Sequence, residues 1–118
     1  MPEVIETQMK KGVLGLCVLA LLSRGDSYAY EIASKLAVAV DMGEGTIYPL
    51  MRRMQSDGLV STYLEESPSG PPRKYYSITQ TGRDRFTTQA DEWRAFTVAV
   101  DALVFPEAGK TEADHDAQ

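Results

Sequence analysis

The chain has 118 residues, 43% of them hydrophobic, which fits one compact domain with one core and excludes two domains of ordinary size. Cys17 is the only cysteine, so no intramolecular disulfide can form. It lies in an apolar run, where a small buried hydrophobe is the favoured interpretation and a redox sensor is the alternative. The formal net charge of −5 disfavours a nucleic-acid partner unless the charges are unevenly distributed.

The charges are unevenly distributed along the chain. The segment from Lys10 to Arg85 contains ten basic and eight acidic residues, whereas residues 86–118 contain two basic and seven acidic ones. Residues 1–9 add two further acidic side chains. The middle of the chain is therefore mildly basic, and the overall charge does not exclude an anionic partner for that segment.

The first predicted element is a helix from about Gln8 to Ser23, followed by Gly25, which suits the left-handed position after a helix. Its apolar run from Val13 to Leu22 has ten residues. Because a membrane span needs about 20, the run predicts a buried core helix and no membrane partner. No small-residue cleavage site separates the run from the domain pattern, so no secretory signal is predicted and a cytoplasmic location is expected.

The next predicted element is a helix from Tyr28 to about Val40. Asp26 and Ser27 offer capping oxygens before it. Ile32 and Leu36 are four residues apart and begin one apolar stripe, which favours a helix packed on a core.

A third helix is predicted from near Thr46 to Asp57. Apolar residues at offsets of three, four and seven form one buried stripe along it. Pro49 is tolerated in a helix within its first turn, so we expect the helix to begin at Gly45 or Thr46. The outward face then carries Thr46, Tyr48, Arg52, Arg53 and Gln55.

A hairpin follows the third helix. The segments Leu59 to Leu64 and Arg73 to Thr79 are rich in β-branched and aromatic residues and predict two strands. Between them, Glu65 to Pro72 (EESPSGPP) is predicted to be a turn that cannot be strand. Three helices followed by two strands is the order of a winged helix-turn-helix, so the predicted fold class is mainly α with a small β wing.

The last predicted element is a long helix from about Thr81 to Val104, which Pro106 ends. Its larger side chains alternate spacings of three and four, a seam that a twofold homodimer would cover. Residues 1–80 are predicted to be the winged helix (with its first helix also at the dimer interface), residues 81–105 a dimerisation helix, and residues 106–118 a disordered acidic tail. The seam consists of Phe86, Gln89, Trp93, Phe96, Val100 and Leu103.

The outward face of the third helix predicts contacts with double-stranded DNA. A helix in the major groove must reach base edges and phosphates, and its polar N-terminal end and arginines meet that requirement. For any single cation a solvated surface is the alternative, but cations on the third helix and the wing would lie on the same side of a winged helix. Lys10 and Lys11 oppose the dipole of the first helix, a cost that a contact with DNA would offset. The cations concerned are Lys10, Lys11, Arg52, Arg53, Arg73 and Lys74.

Three segments of this sequence resemble the PadR-type transcriptional regulators. They are GTIYPLMRRMQSDGLV (Gly45 to Val60), GPPRKYYSIT-x-x-G (Gly70 to Gly82) and SYAYEI (Ser27 to Ile32). The resemblance extends over roughly Val13 to Val104 and departs at Ala29, where the family often has glycine. The single C-terminal helix is similar to the LmrR-like subfamily.

The resemblance implies a homodimer that represses a neighbouring operon and leaves the DNA when a small effector binds. A twofold dimer predicts a pseudo-palindromic operator with half-sites about one DNA turn apart. By the same resemblance, Thr46, Tyr48 and Arg52 would lie in the major groove, Arg73 and Lys74 would contact phosphate or the minor groove, and Tyr28 and Tyr30 would support them.

Trp93, at the midpoint of the last helix, has two interpretations. It is a residue of the dimer core, or it and its symmetry mate flank a cavity for flat aromatic molecules, as the resemblance implies. Acidic side chains nearby could attract a cationic effector or form ordinary solvated surface. The residues of the predicted pocket and dimer interface are Met9, Val13, Trp93, Phe96, Val100 and Leu103, and the acidic neighbours are Asp91, Glu92 and Asp101.

Enzymatic and metal-binding functions are not predicted. The only histidine, His115, lies in the predicted tail, so no catalytic triad forms within the fold, and no phosphate-binding glycine motif is present. One cysteine and one histidine are too few for a zinc site, and no cofactor is expected. The alternative to a DNA-binding regulator is a winged helix used as a protein-interaction module, which the overall acidity would suit.

Overall fold

The computed structural model describes residues 5–107, apart from the side chains of residues 5–8, 10, 11 and 44. The chain divides into two units after Phe86, within the last helix. The predicted fold class, mainly α with a small β wing and a long last helix, is confirmed. The elements are α1 (Ile5–Ser23), β1 (Ser27–Tyr28), α2 (Ala29–Val40), α3 (Glu44–Ser56), β2 (Val60–Ser67), β3 (Gly70–Ile78) and α4 (Gln80–Val104).

Helix α1 is a core helix, as its apolar run predicts. It begins at Ile5 rather than Gln8, because residues 5–8 contain neither proline nor glycine and continue the helix. Leu14, Val18 and Leu22 are almost completely buried. No helix in the described part of the chain is long and apolar enough to cross a membrane. After α1, Gly25 has a φ of 155°, positive but far from the expected left-handed helical value.

The predicted capping of α2 by Asp26 and Ser27 is wrong. Tyr28 is the N-cap residue and makes no side-chain capping hydrogen bond. Ser27 belongs instead to β1, where it pairs with Tyr76 of β3, so its side chain is turned into the core. The Asp26 carboxylate accepts a hydrogen bond from a distant residue, Tyr63. Long-range sheet pairing therefore overrides a local capping signal.

The start of α3 also differs from the prediction. The helix begins at Glu44, after the N-cap Gly43, so Pro49 lies in its second turn. Proline has no N–H, so the carbonyl of Gly45 loses its usual partner one turn later. Gly45 is exposed, which leaves that carbonyl accessible to water, and the first turn is tightened by a 3.2 Å bond from Thr46 N–H to the Gly43 carbonyl.

The predicted turn from Glu65 to Pro72 is largely strand, which corrects the sequence analysis. Only two residues separate β2 from β3, and the sheet gains a third strand in the order β1-β3-β2. The prolines are tolerated for two reasons. The register shifts between Glu65 and Ser67, and β1 pairs with β3 only at Tyr75 and Tyr76, so one edge of the strand at Pro71 and Pro72 has no sheet partner.

One hydrophobic core fills the first unit. It joins the buried stripes of three helices to one face of the sheet, and Phe86 of α4 packs partly buried against it. Its buried members are Leu14, Val18, Leu19, Leu22, Ile32, Ala33, Leu36, Met42, Ile47, Met51, Met54, Leu59, Val60, Tyr76 and Ile78.

Helix α4 begins at a tight corner against Leu59, in the segment between α3 and β2. Thr79 caps the helix, because its Oγ1 accepts a 3.0 Å hydrogen bond from Gly82 N–H. The Thr79 N–H donates to the Leu59 carbonyl over 3.1 Å. A Cβ on Gly82 would collide with that carbonyl and lie 2.8 Å from Ile78 Cγ1. Glycine is therefore required at this close approach.

The second unit contains the rest of α4, which ends at Val104 as predicted. The predicted seam is exposed in the single chain: Trp93 is 45%, Phe96 63% and Leu103 84% exposed. The predicted acidic tail lies, from residue 108 onward, outside the described residues.

Candidate nucleic-acid interface

The outward side of α3 carries the side chains that the sequence assigns to DNA. Burial of Ile47 and Met51 in the core determines which side of the helix faces outward. Few apolar side chains lie on the outward side of α3, so polar and cationic side chains dominate its exposed face. The opposite side bears Thr46, Arg52 and Arg53, which are exposed, and Tyr48, which is half-buried.

The two arginines of α3 lie on different flanks of the helix. Gln55 Nε2 donates to Thr62 Oγ1 of β2 over 3.3 Å, so the flank shared by Gln55 and Arg52 faces the hairpin. Arg53 lines a groove of about 330 Å³ between α3 and Leu14 of α1. The helix thus presents one cation towards the wing and another towards α1. The remaining lining residues of the groove are Thr46, Pro49 and Leu50.

The two wing cations lie on opposite faces of the hairpin. Both are exposed residues of β3, and successive side chains of a strand point to opposite faces. Lys74 shares a face with the buried Tyr76, which is the side of the helical core. Arg73 lies on the outer face, opposite Glu65 in the register. Arg73 and Lys74 therefore lie apart, on different faces, and do not form one basic pair.

Three tyrosines cover the outer face of the sheet beside Arg73. The rings of Tyr63 and Tyr75 are stacked with centroids 5.7 Å apart, and those of Tyr75 and Tyr28 are tilted with centroids 5.5 Å apart. The guanidinium carbon of Arg73 lies 4.6 Å from the centroid of the Tyr28 ring. This distance is typical of a cation–π contact, so the arginine is held on the aromatic surface.

A hydrogen bond ties this aromatic surface to the loop after α1. Tyr63 OH donates to Asp26 Oδ2 over 2.8 Å. The carboxylate acceptor stabilises the neutral phenol and raises the pKa of Tyr63 to about 12. The sequence analysis missed Asp26, Tyr63 and Tyr75 as members of a site. Along their own strands, Tyr63 and Tyr75 each alternate with residues that face the core, and this period of two was the available signal. No local signal marks Asp26.

The other candidates for DNA contacts lie on α1 and α2. Tyr30 on α2 is 61% exposed, and it makes none of the ring contacts that involve Tyr28. Lys35 on the same helix is 2.9 Å from Glu31, and this ion pair lowers the pKa of Glu31. The side chains of Lys10 and Lys11, on α1, lie outside the described part of the structure.

The residues assigned to an effector are divided between α1 and α4. Met9 is 60% exposed and Val13 is half-buried on α1, while Trp93 and Phe96 are exposed on α4. Cys17 packs partly buried against the core, and burial raises the pKa of its thiol, which disfavours the reactive thiolate. The described residues contain no group of three or more His, Cys, Asp or Glu that could hold a metal ion.

Three helices followed by a wing, with exposed cations on both α3 and the hairpin, define the class of winged-helix transcriptional regulators. The model of the transcriptional regulator PadR-like family matches residues 18–88, more than half of the chain. The chain belongs to this PadR-like family.

Solved structures agree with this assignment. A PadR-like transcriptional regulator from Bacillus cereus is 38% identical, with 83% of this chain and 97% of that chain covered and a TM-score of 0.77. A PadR-like transcription factor from Bacteroides fragilis is 37% identical, with coverages of 84% and 97% and a TM-score of 0.69. A Streptococcus transcriptional regulator is 32% identical, with coverages of 81% and 96% and a TM-score of 0.74. All three relatives are regulators of transcription.

Proposed function

We propose that the chain is a repressor that binds a pseudo-palindromic operator as a homodimer and leaves it when a small effector binds. The observation that carries the proposal is the presence of exposed cations on both α3 and the hairpin of one unit. Winged helices hold DNA with a helix in the major groove and a wing on the backbone. Such a repressor acts in the cytoplasm, where its DNA is.

In the proposed complex, α3 lies in the major groove. Side chains near its N-terminus read base edges together with Arg52. Arg53, on the other flank, contacts phosphate of the facing strand. The wing adds one phosphate contact from each face of the hairpin. The base-reading residues are Thr46, Tyr48 and Arg52, the wing contacts are Arg73 and Lys74, and the supporting residues are Lys10, Lys11, Tyr28 and Tyr30.

The second proposed partner is another copy of the chain, joined through α4. The exposed seam forms an apolar helix face, and such faces usually belong to an interface. Its heptad-like spacing suits a second helix. A twofold axis would set two α3 helices on half-sites about one DNA turn apart. Residues 1–80 are then the DNA-binding domain, and residues 81–105 the dimerisation helix.

The proposed effector is a flat aromatic molecule that binds between Trp93 and its symmetry mate. A large aromatic side chain exposed on an apolar helix face can stack on a flat ligand. Phe96 and Val100 continue that face, and Met9 and Val13 of α1 are the other proposed neighbours. The carboxylates of Asp91, Glu92 and Asp101 favour a cationic ligand over an anionic one.

An electrophoretic mobility shift with the DNA upstream of the chain's own gene tests the proposal. Retardation is expected at micromolar protein, with an affinity that falls steeply as salt rises because phosphate contacts release counterions. No retardation at about 50 mM salt would overturn the repressor assignment and favour the protein-interaction module. Equal retardation of unrelated DNA of the same length would show that binding is not sequence-specific and would refute the proposed operator.

A further inference from the structure

The outer face of the sheet contains a connected set of side chains that the core does not require. We name this set, Asp26, Tyr28, Tyr63 and Tyr75, the wing clamp. Tyr63 and Tyr75 are direct partners in the β2–β3 register, and Tyr75 and Tyr28 are direct partners in the β1–β3 register. Tyr63 is 41% exposed and is absent from the buried core cluster. Packing of the fold alone therefore does not explain the set.

The clamp joins the hairpin to the helical body. Asp26 lies between α1 and β1, and Tyr63 lies on β2, 37 residues later. A phenol that donates to a carboxylate forms a charge-assisted bond, stronger than a bond between neutral groups. The bond leaves Tyr63 stacked on Tyr75, and Tyr75 in turn supports the ring of Tyr28.

Arg73 is the cation that the clamp holds. It is diagonal to Tyr28 across the β1–β3 pair, with its guanidinium carbon 4.6 Å from the ring centroid. A guanidinium that stacks on an aromatic ring keeps its N–H groups, which lie in its plane, available to a phosphate. A side chain already held in place loses less conformational entropy on binding.

We propose that Asp26 and Tyr63 are positioning residues that preorganise Arg73 for a DNA phosphate. Neither residue needs to contact the DNA itself. The proposal rests on the proposed function, since it supplies the phosphate that Arg73 would contact.

The clamp is tested first in the free protein, by the NMR shifts of the Arg73 δ protons. The Tyr28 ring current should move these shifts upfield in the wild type, and Tyr63→Phe or Asp26→Ala should return them towards unstructured values. Asp26→Asn, which retains an acceptor oxygen, should keep them upfield. Unchanged shifts in Tyr63→Phe, with an unaltered melting temperature, would overturn the clamp whatever the protein binds.

A double-mutant cycle on DNA then tests the consequence. Tyr63→Phe and Arg73→Ala should each weaken binding by about threefold to tenfold, and the double variant should be no weaker than Arg73→Ala alone. Arg73→Ala should also lower the salt slope by about one. Additive losses would overturn the proposal, because Tyr63 would then act independently of Arg73. Absence of DNA binding by the wild type would refute both the proposed function and the contact between Arg73 and a phosphate. The NMR shifts of the Arg73 δ protons would still test the clamp itself.

Discussion

Single side chains of this protein have properties that depend on contacts far away in the sequence. Tyr63 donates to Asp26, and Arg73 rests on Tyr28, although neither partner is a neighbour along the chain. Gly82 is required because a Cβ at that position would collide with the Leu59 carbonyl. The consequences of these contacts can be measured residue by residue.

Tyr63 should make stability sensitive to alkaline pH. Its pKa is raised from 10 to about 12, mainly because its hydroxyl donates to the Asp26 carboxylate. A raised pKa in the folded state contributes stability that is complete below pH 10, the pKa of the unfolded phenol, and is lost as the pH rises to 12. Chemical denaturation across this interval should show a steeper loss for the wild type than for Tyr63→Phe. Parallel curves would mean that the bond does not persist in solution.

At the scale of elements, the corner between β3 and α4 determines how the last helix begins. Thr79 bonds through its backbone to Leu59, in the segment between α3 and β2, and caps α4 through its side chain. The helix then passes directly over Leu59. A single corner therefore connects the segment between α3 and β2 with β3 and α4 within the first unit.

Substitutions at this corner should destabilise the protein to different extents. Gly82→Ala should lower the free energy of unfolding by about 1–3 kcal/mol, because backbone must move to admit the methyl group. Thr79→Ala should cost about 1 kcal/mol through loss of the cap. Gly12→Ala in α1 is the matched control: no atom lies within 4 Å of the added Cβ, so a gain of about 0.5–1 kcal/mol is expected. Urea denaturation measures all three, and a neutral Gly82→Ala would contradict the geometry of the corner.

At the scale of the whole molecule, the feature that requires explanation is the apolar face of α4. Phe96 and Leu103 are mostly exposed in a single chain of net charge −5. Exposure of this kind costs solubility unless another surface covers it. Assembly of two copies is the proposed explanation, and it is independent of the DNA-binding residues.

Phe96→Glu should convert the proposed dimer into monomers. The substitution puts a carboxylate into the seam, where the twofold axis would bring it close to its own copy and bury it unpaired. Ala95→Glu adds the same charge at an exposed position on the opposite side of α4 and should leave the dimer intact. Sedimentation at tens of micromolar separates these outcomes. A monomeric wild type would end the homodimer proposal, while two dimeric variants would place the interface elsewhere.

Local periodicity was sufficient to predict the helices and most of the hairpin. The stripe of Ile47, Met51 and Met54 correctly indicated which side of α3 is buried. The strand content around Pro71 and Pro72 was missed, since proline rules are local and do not include a register shift or an unpaired edge. Alternation along β3 also implies that Arg73 and Lys74 point to opposite faces of the strand, a consequence that the sequence analysis did not draw.

The sequence by itself determined the order of the four helices and the hairpin and the cationic character of the outward side of α3, because these follow from spacing and composition over short windows. The family was inferred from three segments that resemble it. The tertiary structure alone decided that Ser27 enters a third strand, that Asp26 bonds to Tyr63, and that Arg53 faces α1 while Arg52 faces the wing. Each of these depends on which distant segments meet. Pairing between residues that are far apart in the chain leaves no periodic signal in either segment.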